Sequence, residues 1–514
     1  MKKTKLLALS GVALLVMAPA FADDFGFSSF GDDAVSTTAD SSSDESSSFG
    51  SFDSIFGGSS SDSDSSSLQI TGTAGLTTRA YLLDNGDYDA GETYVNPSLK
   101  LDLSYSDTNS DLTGTILLDS ETVNNYQEDI LNELTYRAYL GNYILQAGKT
   151  KIVWGRGDKV HVLDLINAND VTNFTIPDYI DRRIGEPEMD VTWNIPSEEN
   201  LSLQLVFTPG MTVDRFATSG RWTPSVVSTI ESKITGYAST EVKAVYSAAY
   251  DQALKAQNTD SASATTEQMN NAVIAAVAAE MQAAETYSDE DNYYADTNTL
   301  EYAQYGARLT GTQGTVDWGA EYYFGHYKTP SLKDIDSDLN LDYDQLQVFG
   351  VDAETVRGAY TMRGELAYYL TEDYDGDDTS THNNSIQWVA GFDRDLPWYN
   401  ISLNVQELGS YILNYDEVSG ETDPDFNYAD SASNNKIIVK LSNTMWHENL
   451  KPSLSVMYGI EGVDLIVMPE ISYVVKDGFE VTASANFVYS DTETGEYQAF
   501  NNNAEVQLKT EYNF

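Results

Sequence analysis

The chain closes on Ala504-Glu505-Val506-Gln507-Leu508-Lys509-Thr510-Glu511-Tyr512-Asn513-Phe514. Ala504, Val506, Leu508, Thr510, Tyr512 and Phe514 alternate with Glu505, Gln507, Lys509, Glu511 and Asn513. Successive side chains of a strand point to opposite faces, so this segment has one face suited to hydrocarbon and one suited to water. The same alternation recurs at Leu201, Leu203, Leu205 and Phe207, at Val316, Trp318, Ala320, Tyr322 and Phe324, and at Met362, Gly364, Leu366, Tyr368 and Leu370. A two-sheet sandwich also alternates. The connections decide between them.

Counted from Leu68, about eighteen strands are separated by connections that alternate in length, with sixteen as the other count. The short set is Asp107 to Ser110, Gly141-Asn142, Pro196 to Glu199, Gly311 to Gly314, Leu396-Pro397, His447 to Asn449 and Lys476 to Gly478. The long set includes Asp119 to Asn132, Trp154 to Gly185, Thr208 to Asn298, Tyr327 to Tyr343, Thr371 to His382 and Tyr411 to Ser433. Glu461-Gly462 is short where a long connection is due. Short turns on one side and long loops on the other predict an all-β fold: a transmembrane, antiparallel, up-and-down β-barrel over 68–514. The outward faces contain no obvious polar seam, which is the pattern of a monomer.

Composition fits that class. The 514 residues have a net charge of −52, no cysteine, 34 tyrosines and a mean hydropathy of −0.36. No basic run exists to neutralise phosphates, so nucleic acid is excluded as a partner. Met1 to Ala22 reads as a signal peptide, with Lys2, Lys3 and Lys5 before an apolar core and Ala20-Phe21-Ala22 before the cleavage point. Asp23 to Ser67 is Ser/Asp-rich and too poor in apolar residues to offset the entropy of ordering it. It reads as a disordered periplasmic tether, whose Phe-Gly pairs at 25, 30, 49 and 56 are either incidental aromatics of a flexible linker or weak docking points for a periplasmic partner or the barrel's own lumen. Within the longest loop, 224–287 carries apolar residues at helical spacing (Ile230, Ile234, Tyr237; Val273, Ile274, Val277, Met281), which predicts an extracellular helical insert.

The signal, the loop asymmetry and the terminal Tyr512-Asn513-Phe514 resemble Gram-negative-type outer-membrane β-barrels. That resemblance implies a place in the cell outer membrane, contact with its lipid, and recognition of Phe514 by the barrel assembly machinery. Gly148-Lys149, Trp154-Gly155-Arg156-Gly157-Asp158, Asp164, Asn167, Asp170 and Asp181-Arg182-Arg183 are similar to a little-characterised porin-like family grouped with alginate-export porins. The tether and the helical insert depart from that pattern.

Phasing the strands from the wet face of 504–514 sends Arg137, Lys149, Lys151, Arg308, Arg363, Lys436, Lys440 and Lys509 inward, although the chain has only 28 Lys and Arg. Glu133, Asp317, Glu321, Glu365, Asp464, Glu470, Glu505 and Glu511 oppose them. The pattern suits either an anion-tolerant pathway or an ion-pair network that satisfies the wall's own charges. The loop 154–185 carries Arg156, Asp158, Lys159, His161, Asp164, Asp170, Asp178, Asp181, Arg182 and Arg183. Folded inward, it would narrow the lumen; lying outside, it would be a charged rim. Arg156, Asp158, Arg182 and Arg183 sit at its two ends and read as anchors to the wall.

Acidic clusters at 84–89, 334–338 and 373–378 lack the spacing of a calcium loop, so no metal is expected. The four histidines fall in no nucleophile or metal motif, and neither enzymatic chemistry nor a cofactor is expected. The function read from sequence is a passive outer-membrane channel for small polar or anionic solutes. The alternative is a surface adhesin with a plugged barrel.

Overall fold

A computed structural model describes residues 68–86, 88–172, 179–287, 293–333 and 339–514. The signal peptide, the Ser/Asp-rich tether, Asp87, Asp178 and the acidic cluster 334–338 lie outside the described residues.

Eighteen antiparallel strands close into one barrel. In chain order they are β1 (Gln69–Tyr81), β2 (Thr93–Asp107), β3 (Ser110–Leu118), β4 (Leu131–Leu140), β5 (Tyr143–Thr150), β6 (Glu186–Asn194), β7 (Ser202–Thr208), β8 (Gln304–Gln313), β9 (Val316–His326), β10 (Gln345–Arg357), β11 (Tyr360–Thr371), β12 (Ser385–Asp395), β13 (Ser402–Ile412), β14 (Ser433–Ser442), β15 (Leu450–Gly459), β16 (Asp464–Lys476), β17 (Phe479–Ser490) and β18 (Glu505–Asn513). Each pairs with its neighbours in sequence, and β18 pairs with β1. Phe514 and Gly72 exchange backbone hydrogen bonds at 2.9 Å in both directions across that seam. The connection 460–463 is a short one on the long-loop side, so the count of eighteen stands without an added pair.

The exterior carries the alternating apolar set. Leu205, Phe349, Leu366, Leu508 and Tyr512 are exposed, while their sequence neighbours face inward. Such a surface suits hydrocarbon. One outward position breaks the pattern expected of a seamless exterior: Glu407 on β13 pairs laterally with Ala390 and Ile437, both outward.

The interior departs from a uniformly wet face. Val348, Ala367, Val389, Leu408, Ile438, Met457, Ile466 and Val488, on β10 to β17, point inward and are buried in one cluster. Ile438, Met457 and Ile466 are 0% exposed. The same cluster takes in Ile152, Trp154, Val160, Val162, Leu163 and Ile166 from the connection 151–185, and Leu332, Leu341, Tyr497 and Phe500 from other connections. At these positions the inner face is apolar where a water-filled lumen would call for polar side chains, and the polar residues beside them are turned to the loop. Each such apolar side chain taken from water contributes roughly 1.5–3 kcal/mol.

The insert forms two helices, α1 (Ser225–Ala256) and α2 (Thr266–Tyr287), which pack on each other through Leu254, Ala272, Ala276 and Ala283. Val226, Val227 and Ile230 root α1 in the barrel cluster. The Trp222 indole just before it donates to Tyr81 Oη at 2.8 Å.

Candidate functional site

The connection 151–185 leaves β5 and crosses to strands on the far side of the ring. Its seat is Glu365 on β11. Oε1 accepts the backbone N–H groups of Arg156 and Gly157 (2.6 Å each) and lies 2.8 Å from His161 Nδ1; Oε2 accepts from Val162 N at 2.8 Å. A loop entering a barrel must satisfy the backbone groups it buries, and here one carboxylate takes three of them. Gly155 has φ +95°, and a Cβ there would stand 2.2 Å from Glu365 Oε1, so only glycine permits the approach.

Around this seat, Arg156 Nε lies 2.6 Å from Asp352 on β10, which also holds Arg308 at 2.7 Å. Arg308 also reaches Glu321 at 3.5 Å. Asp158 N donates to Gln406 Oε1 and its carbonyl accepts from Gln406 Nε2 (2.9 Å each), while Asn404 Nδ2 donates to Asp158 Oδ2 at 2.8 Å. Lys159, at φ 64°, follows at the turn. The Trp154 indole donates to Gln204 at 3.0 Å and lies over Gly306, where a Cβ would meet the ring at 2.5 Å.

The return limb is tied to the departing one by Asn167. Its Oδ1 accepts from Ile152 N at 2.8 Å, and its Nδ2 donates to the carbonyls of Thr150 (2.9 Å) and Ile184 (3.0 Å). Arg183 lies 3.1 Å from Asp164, whose other oxygen accepts from Tyr179 Oη. Arg182 and Arg183 are buried near the Tyr179 ring. Asn169 N donates to Asp214 at 2.7 Å, and burial pushes that carboxyl up to about 6. Arg215 bridges Asp129 (2.8 Å) and Asp170 (3.0 Å) over the face of Tyr126.

Between this packed half and β1, β2, β3 and β18 a cavity of about 530 Å³ remains. Its wall presents Thr73, Thr77, Arg79, Asn96, Ser98, Lys100 and Lys509; its loop side presents Asp119, Glu121, Asp129, Asp170, Asp181, Arg182, Arg183 and Arg215. With Glu511, six acidic side chains face six basic ones. Lys509 lies 2.8 Å from Glu511 and Lys100 lies 3.7 Å from Asp181.

Of the residues expected to line a pore, Lys509 borders this cavity. Arg308, Glu321 and Glu365 are buried under the loop, and Lys436 is buried 3.0 Å from Glu496. Lys440 is also buried. Arg363 pairs with Asp393. Arg137 is bonded to Gln146 at 2.6 Å. Lys151 donates to the carbonyl of Ile180 at 3.0 Å and lies 3.8 Å from Glu133. Lys149 faces outward instead of inward. It pairs laterally with Leu134 and Pro187, because alternation from outward Tyr143 and Leu145 leaves Gln146, Gly148 and Thr150 as the inward set. Its ammonium sits on Asp129, 3.0 Å away. Arg79 and Lys100 were legible from the phase of β1 and β2 but not singled out. Arg215 and Asp214 lie in the long connection before the helices, where no periodicity marks them.

Fold and site together define a closed β-barrel with an in-folded loop and a polar, charge-mixed residual lumen. No protein-family model matches the chain, and no curated protein does. Among solved structures, the chain is similar to a BenF-like porin from Pseudomonas fluorescens (11% identity, TM-score 0.44, 87% of this chain and 98% of that one). It is also similar to Wzi, a carbohydrate-binding outer-membrane barrel involved in capsule assembly in Escherichia coli (10%, 0.40, 87% and 84%). A third match is a mutant of the Rh. blastica porin (8%, 0.36, 87% and 100%). At these identities and scores no function passes from them to this chain.

Proposed function

We propose that the protein is an outer-membrane, porin-like channel that admits small polar solutes, anions included, by passive diffusion. The supporting observation is the charge balance of the residual cavity. In a chain of net charge −52, six basic side chains line it against six acidic ones. The loop 151–185 fills the other side of the lumen and sets the width of the passage. Export by the signal peptide, lipid contact by the exterior, insertion through Phe514 and a periplasmic partner for the tether belong to the same reading, as does the absence of enzymatic chemistry. In planar bilayers, deletion of 158–178 is expected to enlarge single-channel conductance, and unchanged conductance would remove the loop from the passage.

A second reading, a surface interaction protein, is favoured by α2, where Ile274 is 68% and Met281 70% exposed. Liposome swelling with sugars and organic anions separates the two, because a sealed barrel admits neither.

A further inference from the structure

Among the described strands, Glu407 is the one acidic or basic side chain on an outward position more than one residue from a strand end. It is the middle residue of β13, whose eleven residues run from Ser402 to Ile412. That places it deep in the apolar band, where hydrocarbon offers a carboxyl group no partner. The Trp388 indole donates to its Oε1 at 2.8 Å. The ring lies over Gly409, where a Cβ would stand 2.3 to 2.6 Å from indole atoms. Tryptophans of membrane proteins ordinarily carry the N–H to the water interface. Here it is turned along the wall to an acid, and among the described residues Glu407 Oε2 has no hydrogen-bond partner.

We propose that this face, β11 to β14, packs against a second copy of the chain about a two-fold axis, with the two Glu407 side chains sharing a proton across the axis. A two-fold contact joins the same patch on both subunits. A carboxyl group is self-complementary once one of the pair holds a proton, because one O–H donates and the other oxygen accepts. On one side of Glu407 the lateral row is small, with Ala390 beside it and Gly364 beyond, so two walls can approach closely over β11 and β12, while Ile437 flanks it on β14. Trp388 engages one oxygen of the acid and leaves the other for a partner.

The chain has no cysteine, so single substitutions report contacts cleanly. Ala390→Cys leaves Glu407 in place. In proteoliposomes it is expected to form a disulfide-linked dimer on mild oxidation, while Leu205→Cys, outward on β7, stays monomeric. Adding Glu407→Leu to Ala390→Cys is expected to lower the dimer yield at least five-fold, and adding Glu407→Gln, whose amides also self-pair, to retain most of it. Heat-modifiable migration checks that each variant is folded. Equal yields from Ala390→Cys and Leu205→Cys overturn the proposal. So does labelling of Glu407 by a hydrophobic carbodiimide at a rate that does not rise as lipid dilutes the protein, since that face is then covered by lipid.

Discussion

Glu365 and His161 are 204 residues apart in sequence and 2.8 Å apart in space, on the wall and on the loop that crosses to it. The same carboxylate takes three backbone N–H groups from the loop. Glu365→Ala strands these donors, at about 1–3 kcal/mol each. The loop is expected to leave its seat, with larger and noisier single-channel conductance. Glu365→Gln, which keeps one acceptor oxygen, should fall between. A conductance identical to the parent for Glu365→Ala would show that the seat does not hold the loop.

Trp154 depends on a missing side chain at Gly306. Gly306→Val is expected to expel the indole and mimic Trp154→Ala, which costs about 3–5 kcal/mol of packing. Urea midpoints of the folded barrel in detergent test this. If Gly306→Val is as stable as the parent, the indole does not need that space.

Two acids in outer connections are held with raised pKa values. Burial pushes Asp214 up to about 6, and burial pushes Asp425 up to about 6 against the attraction of His382 and the hydrogen bond from Asn383 N. A carboxyl whose folded pKa exceeds its unfolded value near 4 favours the fold fully below that value, and the contribution is lost as pH rises through 6. The protein is therefore expected to unfold at lower temperature at pH 8 than at pH 5. Asp425→Asn should recover on the order of 3 kcal/mol at pH 8 and nothing at pH 4. A parent and variant with the same pH profile would refute this.

Lys100 and Lys509 border the residual cavity. Replacing both with Gln is expected to move the reversal potential in a salt gradient toward cations, most clearly below 0.1 M salt, where the screening length exceeds about 10 Å. An unmoved potential places the ion path elsewhere.

The barrel was legible because alternation and turn length are local: 504–514 and the Asp107 to Ser110 turn carry their own signals. What packs inside it was not. Leu408 and Ile438 sit on the inward phase just as Gln406 and Lys440 do, and only the connections folded inside the barrel, Val160 to Ile166 among them, make them a core. Glu365 could be placed inward from its phase, but nothing near it in sequence names Arg156, Gly157 and Val162 as its donors. Lys149 was misplaced by one position of phase. Glu407 was readable as outward from Val405 and Tyr411, but its Trp388 partner and the small residues beside it lie on other strands and carry no signal in the sequence around it.

The seat of the loop also dates its arrival. Residues 151–169 take their seat from β11 and β13, which supply Glu365 and Gln406. Contacts that span some 200 residues carry the loop-closure cost of long separation, and they reward it only once both ends exist. In whatever order the strands join, the loop cannot be seated until β11 and β13 are both in place. Drying of that half of the interior is a late step, and a wall mutation at Glu365 would slow maturation without touching strand pairing.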